Sequence, residues 1–304
     1  SAASDVYKRQ NAAVWRGTGG DYPAVLGMDL ISYSPARVAK GDNSSNVVER
    51  AIEYWNGDEG KRGIVTLCWH WCPAARYDKS KSDPWGTFYT DKTKFNLARA
   101  MNGRDPDGYQ MLLDDIDAIA VQLKRLQDAD VPVLWRPLHE ASGGWFWWGA
   151  SGADAYLQLY KLMYDRLTNV HGLNNLIWVW NGQDAAWYPG DEYVDIIGED
   201  IYPGKHVYTS QAARFIKALN YTDTRKLITL SENGCIPDPE QLVRDNIMWS
   251  YWCVWEGEFV LKAAGFNNYS EQYTEKNMLK KAYKSDTVIT RKELPDLRNY
   301  PLGD

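Results

Sequence analysis

Residues 132–140 read PVLWRPLHE, an apolar run that ends in polar residues. A short apolar run of this kind predicts a buried β-strand, here 132–138. Arg136, His139 and Glu140 fall at its C-terminal end or just beyond it. Six further runs occur along the chain, at 24–30, 63–69, 176–180, 194–201, 226–230 and 248–255. The sequence therefore predicts seven strands, and the polar residues at their ends are candidates for one shared site.

Stretches with helical spacing lie between these runs, at 45–55, 110–129, 154–169, 210–219 and 271–283. The stretch 110–129 shows the spacing clearly, with Leu112, Ile116, Ile119, Leu123 and Leu126. Alternating strands and helices predict an α/β fold around a parallel sheet. The chain has 304 residues and neither a linker-like stretch nor an internal repeat. We therefore expect one (β/α)8 TIM barrel, with its active site at the C-terminal ends of the strands.

The N-terminus departs from this pattern. Seven strands are predicted, whereas a closed barrel needs eight. The first ten residues, SAASDVYKRQ, resemble a translated sequencing-adapter remnant, and an ordinary polar tail is the alternative. We expect residues 1–10 to be a non-native or disordered leader and residues 11–304 to form a single catalytic domain. On this interpretation the barrel lacks its first strand through N-terminal truncation, and any export signal is lost with it.

The composition favours some classes of function over others. The formal net charge of −6 argues against nucleic acid as a partner, since phosphate binding needs a basic surface. No run approaches the roughly 20 apolar residues that a membrane-spanning helix needs. The 15 Trp and 20 Tyr, against 6 Phe, favour a cleft of flat apolar faces with hydrogen-bonding rims, which suits sugar rings. Packing of these rings in the core is the alternative. The four Cys allow three fully paired disulfide arrangements, and the choice among them stays open.

Two glutamates stand at the ends of predicted strands, Glu140 after the third and Glu232 after the sixth. They are 92 residues apart (232 − 140), which fits three βα units of roughly 31 residues around the barrel. Carboxylates about 5 Å apart across the mouth would suit a retaining glycosidase, in which one protonates the leaving oxygen and the other attacks the anomeric carbon. The alternative for each is a helix cap or a surface salt bridge.

Other strand-end residues also have structural interpretations. His139 could be a core histidine, Arg136 an ion-pair partner and Asp200 a residue that holds a loop. His70 lies between Cys68 and Cys72, which raises the question of a metal. Because no second ligand cluster at zinc spacing follows, we predict no metal site.

WRPLHE at 135–140, followed by SGGWFWWG at 142–149 and by SENG at 231–234, resembles glycoside hydrolase family 26. The resemblance covers essentially residues 17–297. That family consists mostly of β-mannanases with a (β/α)8 barrel and a retaining mechanism. The resemblance implies that Glu140 is the general acid/base and Glu232 the nucleophile. Family members usually have a first strand, often ending in Gly-His-Gln or a similar motif, before the segment that matches TGGDYPAVLGMDL at 18–30, and nothing here matches it.

The same resemblance implies a set of substrate-binding residues. His70 would contact the sugar at the cleavage point, while Arg136 and His139 would organise the carboxylates by hydrogen bonds. Tyr202 would bind the nucleophile. The remaining members are Trp145 beside the acid/base, Trp255 as an aromatic floor, and Asp200.

The function expected from the resemblance is endo-acting, retaining cleavage of β-1,4-mannosidic bonds in mannan, glucomannan or galactomannan. We expect no cofactor, no metal, no nucleic-acid partner, a monomer, and a secreted or cell-envelope location. The alternatives are a family member that acts on mixed-linkage β-glucan or β-1,3-xylan, and a non-catalytic sugar-binding protein.

Overall fold

The computed structural model of the chain describes residues 2–42, 46–57, 62–80, 85–262 and 268–301. Seven strands form one parallel sheet in sequence order, so that each strand pairs with the next. They are β1 Val25–Asp29, β2 Ile64–Cys68, β3 Val133–Arg136, β4 Leu176–Trp180, β5 Ile196–Ile201, β6 Leu227–Asn233 and β7 Trp252–Val254. This order is that of a nearly closed TIM barrel, and all seven predicted strands are confirmed.

The helices that surround the sheet are α1 Ala2–Thr18, α2 Pro35–Ala39, α3 Val47–Asn56, α4 Leu97–Met101, α5 Pro106–Asp128, α6 Ala153–Asp165, α7 Ala212–Leu219, α8 Pro239–Asp245 and α9 Lys276–Tyr283. The five predicted helices correspond to α3, α5, α6, α7 and α9, and position 45, predicted to begin the first of them, lies outside the described residues. Helix α5 begins before position 110 because Pro106 suits its first turn and the Asp105 side chain accepts the N–H of Gly108 at 2.9 Å. A π-helical turn, Arg166–Val170, follows α6.

The inside of the barrel is apolar at its floor and polar at its mouth. Leu134, Val179 and Ile196 form a buried layer, against which Ile64 and Tyr251 pack. Because alternate residues of a strand face the same side, Arg136 on β3, two residues beyond Leu134, also faces the interior. The strands thus place apolar side chains at the floor and turn the charged Arg136 inward at the mouth.

A β-bulge on β6 shapes this mouth. Leu230 pairs with Glu199 on β5, yet Glu232 pairs with Asp200, so Ser231 is the extra residue. A bulge re-aims the side chains next to it. Here Ser231 and Glu232 both turn toward the barrel interior, where they bind different partners.

Strands β1 and β7 are the two ends of the sheet and approach each other at a seam. A Cβ built on Gly27 of β1 would lie only 2.6 Å from Sγ of Cys253 on β7. A cavity of about 950 Å³ follows this seam, lined by residues of β1, β7 and α1. Among the described residues no eighth strand pairs with either edge, which agrees with the seven-strand prediction.

Helix α1 covers the seam and runs through the segment predicted as a leader. Ala13 is buried with Leu279 and Ala282 of α9. Tyr7 is also buried, and its hydroxyl accepts the N–H of Asp29 at 3.2 Å. The structure thus gives residues 2–10 as helix, continuous with 11–18. The foreign origin of residues 1–10 and the domain division at residue 10 stay predictions.

The first prediction follows from the close approach of Gly27 and Cys253 at the seam. Gly27→Ala lowers the free energy of unfolding by about 1–3 kcal/mol, because the new methyl group would lie 2.6 Å from Cys253 Sγ and one of the two must shift. In a Cys253→Ala background the sulfur is gone, so the same substitution costs clearly less. Urea unfolding of the four chains measures both costs, and equal costs in the two backgrounds would contradict the close approach.

Candidate active site

Glu140 lies directly after β3 in a strained loop. Both Leu138 and Glu140 have φ of 53°, a left-handed conformation that costs a non-glycine residue about 1–3 kcal/mol. The loop is held by the N–H of Glu140, which donates to the carbonyl of Asn181 at 2.8 Å. Trp148 Nε1 donates to the carbonyl of His139 at 2.8 Å. Backbone strain fixed in this way aims the Glu140 carboxyl at the mouth of the barrel.

Glu232 is held by two hydrogen-bond donors from other strands. Arg136 Nη2 donates to its Oε1 in a buried ion pair. Tyr202, just after β5, donates its hydroxyl to Oε2 at 2.6 Å. Burial and the neighbouring charge of Glu232 raise the pKa of Tyr202, so the phenol keeps the proton that it donates. Both oxygens of Glu232 therefore accept hydrogen bonds, as an ionised carboxylate does.

Arg136 also holds Asp200, and a second layer supports that pair. Its Nη1 donates to Asp200 Oδ2 at 2.9 Å and to Asn181 Oδ1 at 2.8 Å. Ser231 Oγ donates to Asp200 Oδ1 at 2.7 Å. Burial, with the charge of Glu232 adding to it, raises the pKa of Asp200, and Arg136 opposes this shift. One guanidinium thus orders two carboxylates from two strands.

Glu140, Asp200 and Glu232 each place a carboxylate oxygen within 4.8 Å of the others. This upper limit is short of the roughly 6.5 Å at which inverting pairs begin, and it is compatible with the short separation of the two carboxyl groups in retaining glycosidases. Burial, and next the charge of Glu232, raise the pKa of Glu140. A hydrogen bond from Trp145 Nε1 to Glu140 Oε2, 2.9 Å long, opposes that shift. Two glutamates with such different surroundings can divide acid and nucleophile roles.

The two histidines of the site contact each other. His70 Nδ1 lies 2.6 Å from Asp29 Oδ2, and its Nε2 lies 3.2 Å from Nε2 of His139. His139 is 4.0 Å from Glu232 Oε1, which is longer than a hydrogen bond. The expectation that His139 orders the carboxylates by hydrogen bonds is therefore wrong for the geometry of this structure, since its contact is with His70.

Aromatic side chains wall the cleft. The ring of Trp255 lies 5.8 Å from that of His70, and Trp145 is 46% exposed beside Glu140. Tyr89 packs on Phe146 at 5.5 Å and is also largely exposed. The prediction that Trp and Tyr line a cleft describes only some of them, because the fully buried side chains include Trp69, Trp71, Trp135, Trp147, Trp148 and Trp180.

All nine predicted site residues meet at this mouth. The sequence interpretation did not include Asp29 and Asn181, which also lie at this mouth. Each stands at the C-terminal end of a strand or directly after it, and that position was the signal that could have found them.

Two sets of donor atoms could in principle hold a cation: the three carboxylates, and Asp29 with Cys68 and His70. In the first set Arg136 already supplies the positive charge. In the second, burial raises the pKa of the Cys68 thiol well above its ordinary value, and a protonated thiol is a poor ligand. Asp29 and His70 are already hydrogen-bonded to each other, so these ligand atoms are engaged. All four cysteines are free thiols.

The sequence matches the family described as glycosyl hydrolase family 26 over residues 2–293. The chain belongs to glycosyl hydrolase family 26. Among its relatives, a mannan endo-1,4-beta-mannosidase of Thermothelomyces thermophilus is 44% identical over 276 residues, which is 90% of this chain and 54% of that protein. Mannan endo-1,4-beta-mannosidase A of Piromyces sp is 38% identical, over 91% of this chain and 42% of that protein. The family 26 chain thus spans about half the length of these relatives.

Solved structures agree with this assignment. A GH26-CBM35 beta-(1,4)-mannanase of Podospora anserina superposes with a TM-score of 0.84 at 40% identity, over 93% of this chain and 61% of that one. A beta-mannanase from a symbiotic protist of the termite Reticulitermes speratus, complexed with gluco-manno-oligosaccharide, gives a TM-score of 0.81 at 33% identity. The superposition covers 95% of this chain and 85% of the protist chain. The family 26 barrel is therefore common to all three.

The buried ion pairs of this family 26 barrel generate the second prediction. Arg136→Met leaves Asp200 and Glu232 buried without their cation and lowers the free energy of unfolding by about 3–5 kcal/mol. Lys124→Gln is the control, because it breaks a single pair with Asp128 whose side chains are 50% and 64% exposed. That loss is below about 0.5 kcal/mol. Urea unfolding measures both, and a loss for Arg136→Met as small as the control would contradict the analysis.

Proposed function

We propose that this family 26 chain is a retaining endo-β-mannanase that cleaves β-1,4-mannosidic bonds by double displacement. The observation that carries the proposal is the pair Glu140 and Glu232, with carboxylate oxygens within 4.8 Å. One carboxyl is half-buried with a raised pKa, and the other is bonded to Arg136 and Tyr202. This asymmetry supports an acid and a nucleophile at one mouth.

In the first step an oxygen of Glu232 attacks the anomeric carbon while the bond to the leaving oxygen breaks. Glu140 gives its proton to that oxygen, so the leaving sugar departs as a neutral alcohol. A glycosyl ester on Glu232 remains. In the second step Glu140, now a carboxylate, takes a proton from water, whose oxygen attacks the same carbon and frees Glu232 as a carboxylate.

The pKa of Glu140 must alternate between these steps, and its surroundings support that. While Glu232 is ionised, its charge and burial keep the pKa of Glu140 raised, so the acid form persists above its ordinary range. Esterification of Glu232 removes that charge. The pKa of Glu140 then falls, and the group acts as a base in the second step.

The relatives of the chain are mannan endo-1,4-beta-mannosidases, and this supports mannan as the proposed substrate. The aromatic rings of Trp145 and Trp255 offer apolar faces on which sugar rings stack.

Mannan is a polysaccharide that is cleaved outside the cell, so we propose a secreted or cell-envelope location. Within the described residues, no helix has the length and apolar character to cross a bilayer. The monomer stays a prediction.

The third prediction tests the function. The chain releases reducing sugar from β-1,4-mannan faster than from mixed-linkage β-glucan, and Glu232→Ala abolishes release because the nucleophile is gone. Proton NMR during hydrolysis of mannooligosaccharides shows the β-anomer first, as retention requires.

The matched control is Glu199→Ala, which removes a buried glutamate that bonds Arg214 and Tyr221 away from the mouth. It lowers stability and leaves the anomer of the product unchanged. Three results would each contradict a part of the proposal. Faster release from glucan would overturn the substrate, an α-anomer the retaining mechanism, and binding without hydrolysis the enzyme itself.

The fourth prediction concerns Trp145. Its indole N–H stabilises the charged form of Glu140, so Trp145→Phe raises the pKa of Glu140 further. Because the acid form then survives to higher pH, the basic limb of the kcat/KM profile moves upward. The smaller ring also weakens stacking, and KM rises about tenfold. Trp15→Phe is the control, since Trp15 is exposed on α1; a limb that moves downward in Trp145→Phe would contradict the assignment.

A further inference from the structure

The buried face of helix α5 carries one charged residue among apolar ones. Leu112, Ile116 and Ile119 recur on this face at helical spacing, and Asp115 stands among them with only 4% of its surface exposed. A buried carboxyl is costly unless it is hydrogen-bonded. Within the described part of the chain Asp115 forms no ion pair, and burial raises its pKa to about 7. An apolar side chain would suit this position better if packing were its only role.

The partner of Asp115 is the indole of Trp71, in the segment that follows β2. Trp71 Nε1 donates to Asp115 Oδ2 at 2.6 Å, and both side chains are buried. This hydrogen bond needs an acceptor and not a charge, since a carboxylic acid and a carboxylate both offer one. Trp71 directly follows His70, and its ring stacks on that of Trp69 with centroids 4.3 Å apart. The carboxyl thus fixes the orientation of a ring next to the active-site histidine.

Trp71 in turn holds the loop that follows the acid/base. Its carbonyl accepts Nε1 of Trp147 at 2.6 Å, and the two rings meet edge to face with centroids 4.9 Å apart. Two residues before Trp147, the indole of Trp145 donates to Glu140 Oε2 at 2.9 Å. A path of short hydrogen bonds therefore leads from α5, through two buried rings, to the loop that bonds the Glu140 carboxyl.

The path is buried along most of its length. The side chains of Trp71, Trp147 and Trp148 are at most 1% exposed. Trp148 Nε1 donates to the carbonyl of His139 at 2.8 Å, which ties the same loop to the end of β3. A buried donor that loses its acceptor finds no water to replace it, so its ring must shift, and closely packed neighbours shift with it.

We propose that Asp115 is a positioning residue of the active site. It orients Trp71, which anchors Trp147 in the loop after Glu140. That loop then presents the indole of Trp145 to the Glu140 carboxyl. Asp115 acts through these side chains and not on the reacting atoms. The role of Glu140 as acid/base rests on the proposed function, whereas the contacts from α5 to its carboxyl stand without it.

The test compares two variants of Asp115. Asp115→Leu has a similar shape and no acceptor, whereas Asp115→Asn keeps an acceptor and removes the charge. We expect kcat to drop about 10-fold in Asp115→Leu, because the acid/base is misplaced, and to stay unchanged in Asp115→Asn. The hydrogen bond from Trp145 lowers the pKa of Glu140. A loosened loop weakens that bond, so the basic limb of the kcat/KM profile moves upward in Asp115→Leu. Loss of a negative charge alone would move it downward.

Two further variants act as controls. Ile119→Ala removes a buried side chain one turn farther along α5, nearer the end of the helix that leads into β3. It lowers stability and leaves the basic limb where it was. Trp71→Phe removes the donor and keeps a ring, so it reproduces the upward shift of Asp115→Leu. In the double variant the two shifts do not add, because both substitutions break the same hydrogen bond.

NMR of labelled indoles detects the same contact without substrate. The Nε1–H resonance of Trp145, assigned by its loss in Trp145→Phe, titrates with the Glu140 carboxyl to which it is bonded. Its midpoint moves upward in Asp115→Leu and stays in place in Asp115→Asn. If the chain does not hydrolyse mannan and this resonance still responds as described, the proposed function fails and the positioning role stands.

The remaining outcomes decide against the inference. An unmoved basic limb with an unmoved Trp145 resonance in folded Asp115→Leu overturns it, and so does an equal shift in Ile119→Ala. If Asp115→Leu does not fold, Trp71→Phe takes its place and the same two measurements decide. A loss of kcat in Asp115→Asn as large as that in Asp115→Leu would assign the effect to the charge and overturn the role of the acceptor.

Discussion

A single buried guanidinium determines how this active site is built. Arg136 reaches from β3 across the barrel to Asp200 on β5 and Glu232 on β6. A buried charge without partners is very costly, whereas a charge with complete hydrogen bonding is tolerated. The groups around Arg136 are therefore constrained by its hydrogen-bonding needs. Glu232 turns inward beside the bulge at Ser231, and the amide oxygen of Asn181 accepts one of the guanidinium N–H groups.

The same constraint explains why the acid is placed differently from the nucleophile. Glu232 is part of a strand and is fixed by the sheet. Glu140 stands beyond the end of β3, on a loop whose left-handed residues are held by the carbonyl of Asn181 and by the buried Trp148. Gly149 closes this loop, since any Cβ there would lie 2.0 Å from the carbonyl of Ala141. Strain in the loop is offset by packing, and within the described part of the chain Glu140 forms no ion pair like the one between Glu232 and Arg136.

The histidine pair links the seam of the barrel to its chemistry. Asp29 ends β1, the strand that borders the seam, and its N–H bonds the hydroxyl of Tyr7 on α1. Its carboxylate orders His70, which contacts His139. The edge of the sheet and the helix that covers it are thus connected to the nucleophile through a few short contacts, although neither lies at the centre of the mouth.

The sequence by itself determined the seven strands and their parallel order, and the family resemblance of its motifs named the nine residues that meet at the mouth. Strands and helices are encoded locally, by apolar runs and by helical spacing, and the barrel then requires every strand end to face one side. Helix α1, the short helices and the extra residue of β6 were not predicted, because they depend on packing rather than on a local period. Only the tertiary structure decided that His139 bonds His70 instead of a carboxylate, and that Asp29 belongs to the site. Such choices depend on distances between side chains of different strands, and no spacing along the chain encodes them.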